Sequence, residues 1–594
     1  MNFKYISTLF AGTALMLTSC DVTNLSPLDS LTDESYWHTV TDLEIYANGL
    51  LGNFGGASIS GDSQSDLFLT QVPSDYLFDN ITRDYGTGNW NFSVIRQCNL
   101  FMDRYTRVEG DEADINQFVG EVRFVRALQY YSKIRLYGDF PYYDHYLTDA
   151  DVEELFKPRD PRNYVLGKII EDLEFAAKWC IDDQGASGRP TCDAAKQQLA
   201  RVCLYFGTYM KYHNEAENNG FSSQKLLQMA AQYSQELINS GKYDIVQGQN
   251  SFGTTNFEGY PLYYQNQFVQ ESLKGNKEAV LPRYYALNLV MHQLGRQAGT
   301  GGSGGMGLSK AFIEMYLMKD GTPIYNEGSG YHGDNTIFDE VEDRDPRLWQ
   351  TIANNYRPNW TANASGTNVE RWNYQNTLTV SAGLTGYACE KFHSSDFTQQ
   401  QPNSSYFDWF IYRYAEVLLI NAEANAELNT CTQAVLDATI NKLRDRVEMA
   451  HLTINPVADA KPMDYGYTIS NLLYEIRRER AVELINEGFR FDDLVRWNSM
   501  QLLMNPLTML GIAVTKESEE FYAKPENGQV SFGGRAHPVY TYNDRTYVRV
   551  YDENYMENTG RQWSKDDRRW LYPVPIDQIR LNPNLTQNPG WPTE

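Results

Sequence analysis

The chain has 594 residues, 42% of them hydrophobic, and its 76 Asp and Glu outnumber 51 Lys and Arg, for a formal net charge of −25 at pH 7. That balance excludes a nucleic-acid partner, which needs a basic footprint to displace counterions, and it disfavours anionic lipid as a docking plane. A chain of this length and composition folds in water as several domains or as one large helical array.

The first element is a short cationic start ending at Lys4, then an apolar run from Ile6 to Leu17, then Thr18-Ser19-Cys20-Asp21. A membrane-spanning helix needs about 20 apolar residues, so this run is too short to stay as one. The pattern is a secretory signal over residues 1–19 with a cysteine at the cut, which predicts acylation of Cys20. Each buried methylene contributes about 0.8 kcal/mol, so several acyl chains would hold the body on a membrane, facing outward.

Apolar residues at Ile115, Phe118, Val122 and Val125 predict a helix from Asp114 that stops near Gly138, in Tyr137-Gly138-Asp139-Phe140-Pro141. A second helix is predicted from Asn163 to Trp179. A third follows Asp193 as N-cap, and a fourth runs from about Lys225 to Ile238, ending at Gly241. Successive helices with short loops resemble tetratricopeptide-type hairpins of degenerate sequence. Residues 243–410 are rich in Gly, Asn, Tyr, Trp and Ser, and the helical period lapses there. Helix returns at Tyr412 to Leu428, at Ala434 to Val447 and at Ser470 to Asn486. Glu517 to Trp570 shows little period, and Trp570-Leu571-Tyr572-Pro573-Val574-Pro575 must run extended.

Chemistry-bearing motifs are weak. Gly299 to Gly304 satisfies GxGxxG and Gly301 to Gly305 satisfies GxSxG, but neither follows a hydrophobic strand. The eight histidines show no ligand spacing. Asp149-Ala150-Asp151 and Asp62 to Asp66 lack the glycine and terminal Glu of a calcium loop, so no metal or cofactor is expected. Cys98, Cys180, Cys192, Cys203, Cys389 and Cys431 form no CxxC pair. A Cys180–Cys192 disulfide is open to the chain, with buried free thiols the better reading. Glu121, Arg123, Arg126, Arg413, Glu416, Glu423, Arg477, Arg480 and Glu483 fall at helical spacings and are expected to pair within the scaffold.

Six segments carry a family resemblance, in order along the chain. They are Gly120-Glu121-Val122-Arg123-Phe124-Val125-Arg126-Ala127 with Tyr137 to Pro141; Asp343-Arg344-Asp345-Pro346-Arg347; Tyr412 to Ala424; Ile476 to Leu484; Phe489 to Trp497; and Tyr572 to Ile576. Together with Cys20 they resemble the SusD/RagB outer-membrane lipoproteins over the whole chain. The resemblance implies a mainly α fold: a tetratricopeptide-like scaffold over about 110–242 and 410–500, a loop-rich ligand lobe over 243–410, and an irregular part over 500–594, all in one domain from 20 to 594. It implies a non-enzymatic, cell-surface lipoprotein of the outer membrane that passes oligosaccharide to a TonB-dependent SusC-like transporter. Two alternatives stand beside it, a RagB-like peptide-binding lid and a surface glycoside hydrolase.

The residues add an aromatic signal, 42 Tyr and 11 Trp against 27 Phe, rings that tolerate water at one edge and stack on sugar C–H faces. Rings beside short polar groups in irregular segments nominate Asp75, Tyr76, Arg83, Trp90 and Asn91 before the first predicted helix. In the lobe they nominate Tyr264, Tyr285, Tyr331, Trp360 and Trp372.

Overall fold

The computed structural model describes residues 33–58, 62–183, 187–248, 256–257, 260–299, 306–354, 358–360, 370–371, 384–517, 529–532, 535–551, 561 and 563–593. Cys20 lies outside them. Among the described residues no helix is long and apolar enough to cross a membrane.

The fold is mainly α. Its longer helices are α1 (Val40–Leu50), α2 (Ser93–Arg104), α3 (Glu112–Tyr137), α4 (Arg162–Trp179), α5 (Cys192–Tyr212), α6 (Ser223–Asn239), α7 (Tyr414–Glu427), α8 (Ile440–Arg446), α9 (Asn471–Glu483) and α10 (Arg490–Arg496). Helix α3 pairs with α4 and α5 with α6, while α7 packs on α6 and on α9. Gly138 ends α3 with φ 73°, where its N–H donates to the Ile134 carbonyl. A Cβ at Gly138 would come within 3.0 Å of Leu571, because the carboxyl-terminal segment runs across the end of this helix. There Tyr572 N donates to Leu136 O at 2.8 Å, and Asn588 Nδ2 donates to the carbonyls of Tyr137 and Tyr572 at 3.0 and 2.7 Å.

Several expectations need correction. Helices α1 and α2 precede the first one predicted; α1 opens on a Thr39–Asp42 capping box and buries Leu43, Ala47 and Leu50, one helical stripe. Thr191, not Asp193, caps α5 by accepting from Ala194 N, while Asp193 accepts from Tyr243 Oη at 3.0 Å. Tyr412 and Arg413 are strand, not helix, because β4 (Trp409–Arg413) pairs antiparallel with β2 (Ala279–Arg283) before α7 begins. The helix expected over Ala434 to Val447 breaks at Thr439, whose ψ of −92° is not helical. Strand β1 (Phe68–Thr70) pairs with β3 (Met306–Leu308). The carboxyl-terminal part is not irregular throughout: β5 (Leu510–Ala513), β6 (Gln529–Phe532), β7 (Arg535–Tyr542) and β8 (Arg545–Arg549) form an antiparallel sheet in the order β6-β7-β8-β5. Asn543 and Asp544, at φ 50° and 62°, make the two-residue turn between β7 and β8. All six described cysteines are free thiols, and Cys192 Sγ donates to the Cys180 carbonyl.

The charges expected to pair within the scaffold do so. Glu483 accepts from Arg413 and Arg446 at 2.8 and 2.5 Å and from Arg347 at 3.2 Å, with every partner nearly sealed from solvent. Glu479 holds Arg347 and Arg444, Glu423 holds Arg496, and Arg480 reaches Asp493. On the other hairpins Asp172 takes Arg123 and Arg126, Glu121 takes Arg189, and Glu416 takes Arg201. Burial would raise the Glu423 carboxyl, but the Arg496 guanidinium overrides it and holds the group down at about 2.

Removing one member of such a lattice strands a buried charge, so Glu483→Ala is expected to cost about 3–5 kcal/mol in chemical denaturation, well beyond a surface substitution. Because the folded Glu423 titrates below its unfolded value of about 4.3, its contribution is full above that pH and is lost as pH falls toward 2. Stability measured from pH 5 downward should therefore decline, and less steeply in Glu423→Gln.

Candidate functional site

Helix α5 delivers Tyr212 at its last position, and the segment between α8 and α9 delivers Tyr465 and Tyr467 on either side of Gly466. Gly466 sits at φ 81°, which reverses the chain so that both tyrosines reach one side. The turn after α10 places Asn498, itself at φ 52°, and the carboxyl-terminal segment supplies Trp563, Ser564, Lys565 and Trp570. These elements enclose a cleft of about 420 Å³.

One wall is a tyrosine stack. The Tyr212 and Tyr467 rings lie 4.9 Å apart and 25° from parallel. Arg477 of α9 fastens them from behind: its guanidinium is 4.8 Å from the Tyr212 ring centre and 5.1 Å from that of Tyr465, and Nη1 donates to Tyr467 Oη at 3.1 Å. Its Nη2 donates to Glu427 at 3.0 Å, and the same carboxylate accepts from Tyr212 Oη at 2.8 Å. Tyr467 Oη donates to the Trp497 carbonyl at 2.5 Å. Burial pushes the hydroxyls of Tyr212, Tyr465 and Tyr467 above their ordinary range, so all three stay neutral in water near pH 7.

The opposite wall is tryptophan. Trp563 and Trp570 lie 5.4 Å apart, with Arg569 only 3.7 Å from the Trp563 ring centre. Trp570 meets His213 edge-on at 5.1 Å, and His213 stacks on Tyr209 at 4.0 Å while its Nε2 lies 2.8 Å from the Val495 carbonyl. Burial holds the His213 imidazole below its ordinary pKa, so it is neutral at pH 7. Asn214, Asn498 and Gln501 bring amides to the rim. Tyr465 Oη and Trp563 Nε1 are buried with no hydrogen-bond partner among the described residues, two unsatisfied polar groups in the walls of one hollow. Such an assembly can stack on a flat, weakly polar face and exchange hydrogen bonds around its edge. Among the described residues no group of three or more His, Cys, Asp or Glu is placed to hold a metal ion.

None of the eight nominated residues whose side chains are described lines this cleft. Tyr76 is 1% exposed; its ring packs among Tyr85, Phe491, Trp563 and Tyr572, so it props the Trp563 wall and is not itself an open platform. Trp90 is a core ring, wedged against Tyr137 and Phe140. Tyr264 is fully buried and donates to the Glu483 carbonyl at 2.7 Å. These three are corrected to packing residues. Asp75 and Asn91 are exposed and Arg83 is half-buried; Asn91 Oδ1 accepts from Ser93 N at the start of α2. Tyr285 is half-buried, its hydroxyl accepting from Ala57 N and its own N–H donating to Asp408. Tyr331 lies half-buried against the Arg344 guanidinium, 5.2 Å from its ring centre. Trp360 is in the two-stranded pairing of Pro358–Trp360 with Glu370–Arg371, and Trp372 lies outside the described residues. Of the cleft rings, Tyr465, Tyr467 and Trp563 lie in irregular chain like the nominated residues but outside 75–91 and 243–410, and Tyr212 sits on a helix, so their shared hollow has no signal in the local sequence.

A model of the SusD family matches residues 270–591, and one described as starch-binding associating with outer membrane matches residues 58–204. The chain is 23% identical over 502 residues to SusD-like protein P2 of Formosa agariphila, covering 81% of this chain and 88% of that one. It is 26% identical over 263 residues to the starch-binding protein SusD of Bacteroides thetaiotaomicron, covering 38% and 46%. Among solved structures, a SusD-like protein from Bacteroides fragilis superposes with a TM-score of 0.66 at 22% identity over 95% of this chain and all of that one. Another, solved with xylogluco-oligosaccharide, gives 0.60 at 17% identity over 93% and 99%. With the first of these models spanning more than half of its length, the chain belongs to the SusD family.

Proposed function

We propose that the protein is a carbohydrate-binding lipoprotein of the outer membrane, fastened by acyl chains on Cys20, that captures oligosaccharide at the cell surface and hands it unchanged to a SusC-like, TonB-dependent transporter. The observation that carries the reading is the cleft: three tyrosines and two tryptophans line one hollow whose rim is amide. A sugar offers C–H faces to rings and hydroxyls to amides, so this chemistry suits it, and a neutral ligand is indifferent to the net charge of −25. The names of relatives point the same way, one a starch-binding protein and one solved with a xylogluco-oligosaccharide. A peptide lid would favour a free strand edge and apolar pockets over rings and amides. Of the nominated residues, Tyr285 and Tyr331 keep partly open rings and are assigned to outlying contacts.

Using the soluble form that begins after Cys20, Trp570→Ala and Tyr467→Ala are each expected to weaken oligosaccharide retention at least about tenfold, or ~1.4 kcal/mol, in affinity electrophoresis. Tyr264→Phe should leave retention unchanged. Retention unaffected by either cleft variant removes the cleft from the account, and release of shorter sugars during incubation would establish a hydrolase instead. The pH dependence follows from His213: the folded imidazole titrates below the unfolded value of about 6.5, so its support of Trp570 is full above that pH and is lost as pH falls through the lowered folded value. Retention should thus drop as pH is taken below about 6.5, and drop less in His213→Phe. Full-length protein with Cys20→Ser should leave the membrane fraction, and intact mass should show loss of acyl chains.

A further inference from the structure

The cleft does not stand alone. Gln501 lines it and also lines a second hollow of about 450 Å³, bounded by Tyr325, Tyr474, Tyr542 and Asn505. The Gln501 side chain lies against Gly466, where a Cβ would meet it at 3.6 Å, so it forms the partition between the two spaces. A third hollow of about 220 Å³ shares Tyr465 and Tyr467 with the cleft, and shares Asp459, Met463 and Tyr474 with the second hollow.

All three are bounded by one stretch of chain, residues 457–469. That stretch is tied at both sides. Asn326 of the lobe grips it through Nδ2 to the Ala458 carbonyl at 3.0 Å and through Oδ1 from Ala460 N at 2.8 Å. Helix α9 holds it by Arg478 to Asp459 at 2.5 Å and by Met463 N to Tyr474 Oη at 2.9 Å. Lys461 covers the face of Tyr325 at 4.2 Å. The stretch is a strap fastened on both sides, with a hollow against each face of it.

We propose that the three hollows are one trough, and that the ligand is an extended oligosaccharide lying across the strap, with its further sugars seated between Tyr474, Tyr542 and Asn505. A single pocket for a small ligand is about 300–1,000 Å³; the cleft and the second hollow each fall within that range, so the two side by side have room for a longer chain than either holds alone. The mixture of ring and amide repeats on both sides of Gln501, which is what a polymer of like units requires. This assignment rests on the reading of the cleft as a carbohydrate site.

The test is isothermal titration of the soluble form with malto-, cello- and xylogluco-oligosaccharide ladders of increasing length. Affinity is expected to climb at least about fivefold between the shortest members bound and the longest. Tyr542→Ala and, independently, Met504→Trp, which crowds the second hollow alone, should abolish that climb while leaving the shortest members within about twofold and the thermal midpoint unchanged. Affinity independent of length, or a climb that survives both variants, overturns the trough and leaves the cleft standing. No binding by any ladder, or binding indifferent to Trp570→Ala, overturns both.

Discussion

Everything in this molecule leans on the lattice of buried guanidinium and carboxylate groups threaded through α9. Six of its thirteen residues are charged and sealed from water, an arrangement whose desolvation cost is offset only when each partner is in place. The lattice joins parts that are remote in sequence: Arg347 from the lobe, Arg413 at the end of β4, Arg444 and Arg446 on α8, and Arg496 on α10 all close on Glu423, Glu479 or Glu483. An apolar core would tolerate sliding of one helix on another. Paired forks do not, since a small displacement leaves a charge unpaired, and so the lattice specifies one relative placement of lobe and array.

Arg477 shows how that constraint reaches the surface. It is bound to Glu427 as a member of the lattice, yet its other face supports the three tyrosines of the cleft. The rings are therefore held by the same helix that locks the fold, which pre-organises the tyrosine wall of the cleft. His213 and Tyr76 do the same for the tryptophan wall from a different part of the chain.

Much of this was legible in the residues. The 3.6-residue period located α3, α4, α5, α6 and α9 within a few positions, and Gly138 marked its helix end correctly because a left-handed cap excludes side chains. Spacing also told that Arg126, Glu416 and Glu483 belong to the scaffold. Shorter elements escaped. The Tyr412-Arg413 pair reads as helix until its distant strand partner is known, and the β7–β8 hairpin declared itself only through Asn543-Asp544, a turn pair easily passed over in a polar stretch. The site was the least legible part. Whether a ring is a platform or a prop depends on which side of it another chain segment covers: Tyr76 and Trp563 are 5.8 Å apart, and no local pattern around residue 76 foretells that residue 563 takes the outer place.

The carboxyl-terminal strap over the end of α3 has a consequence for how the protein comes to work. Tyr572 and Asn588 anchor to Leu136 and Tyr137, and the Trp591 indole donates to the Arg568 and Leu571 carbonyls, so the tryptophan wall is clasped by residues 572–591 against the end of a helix more than 400 positions earlier. A chain cleaved ahead of that clasp would keep the residues of its helices and its ion lattice but lose what holds Trp563 and Trp570 in place.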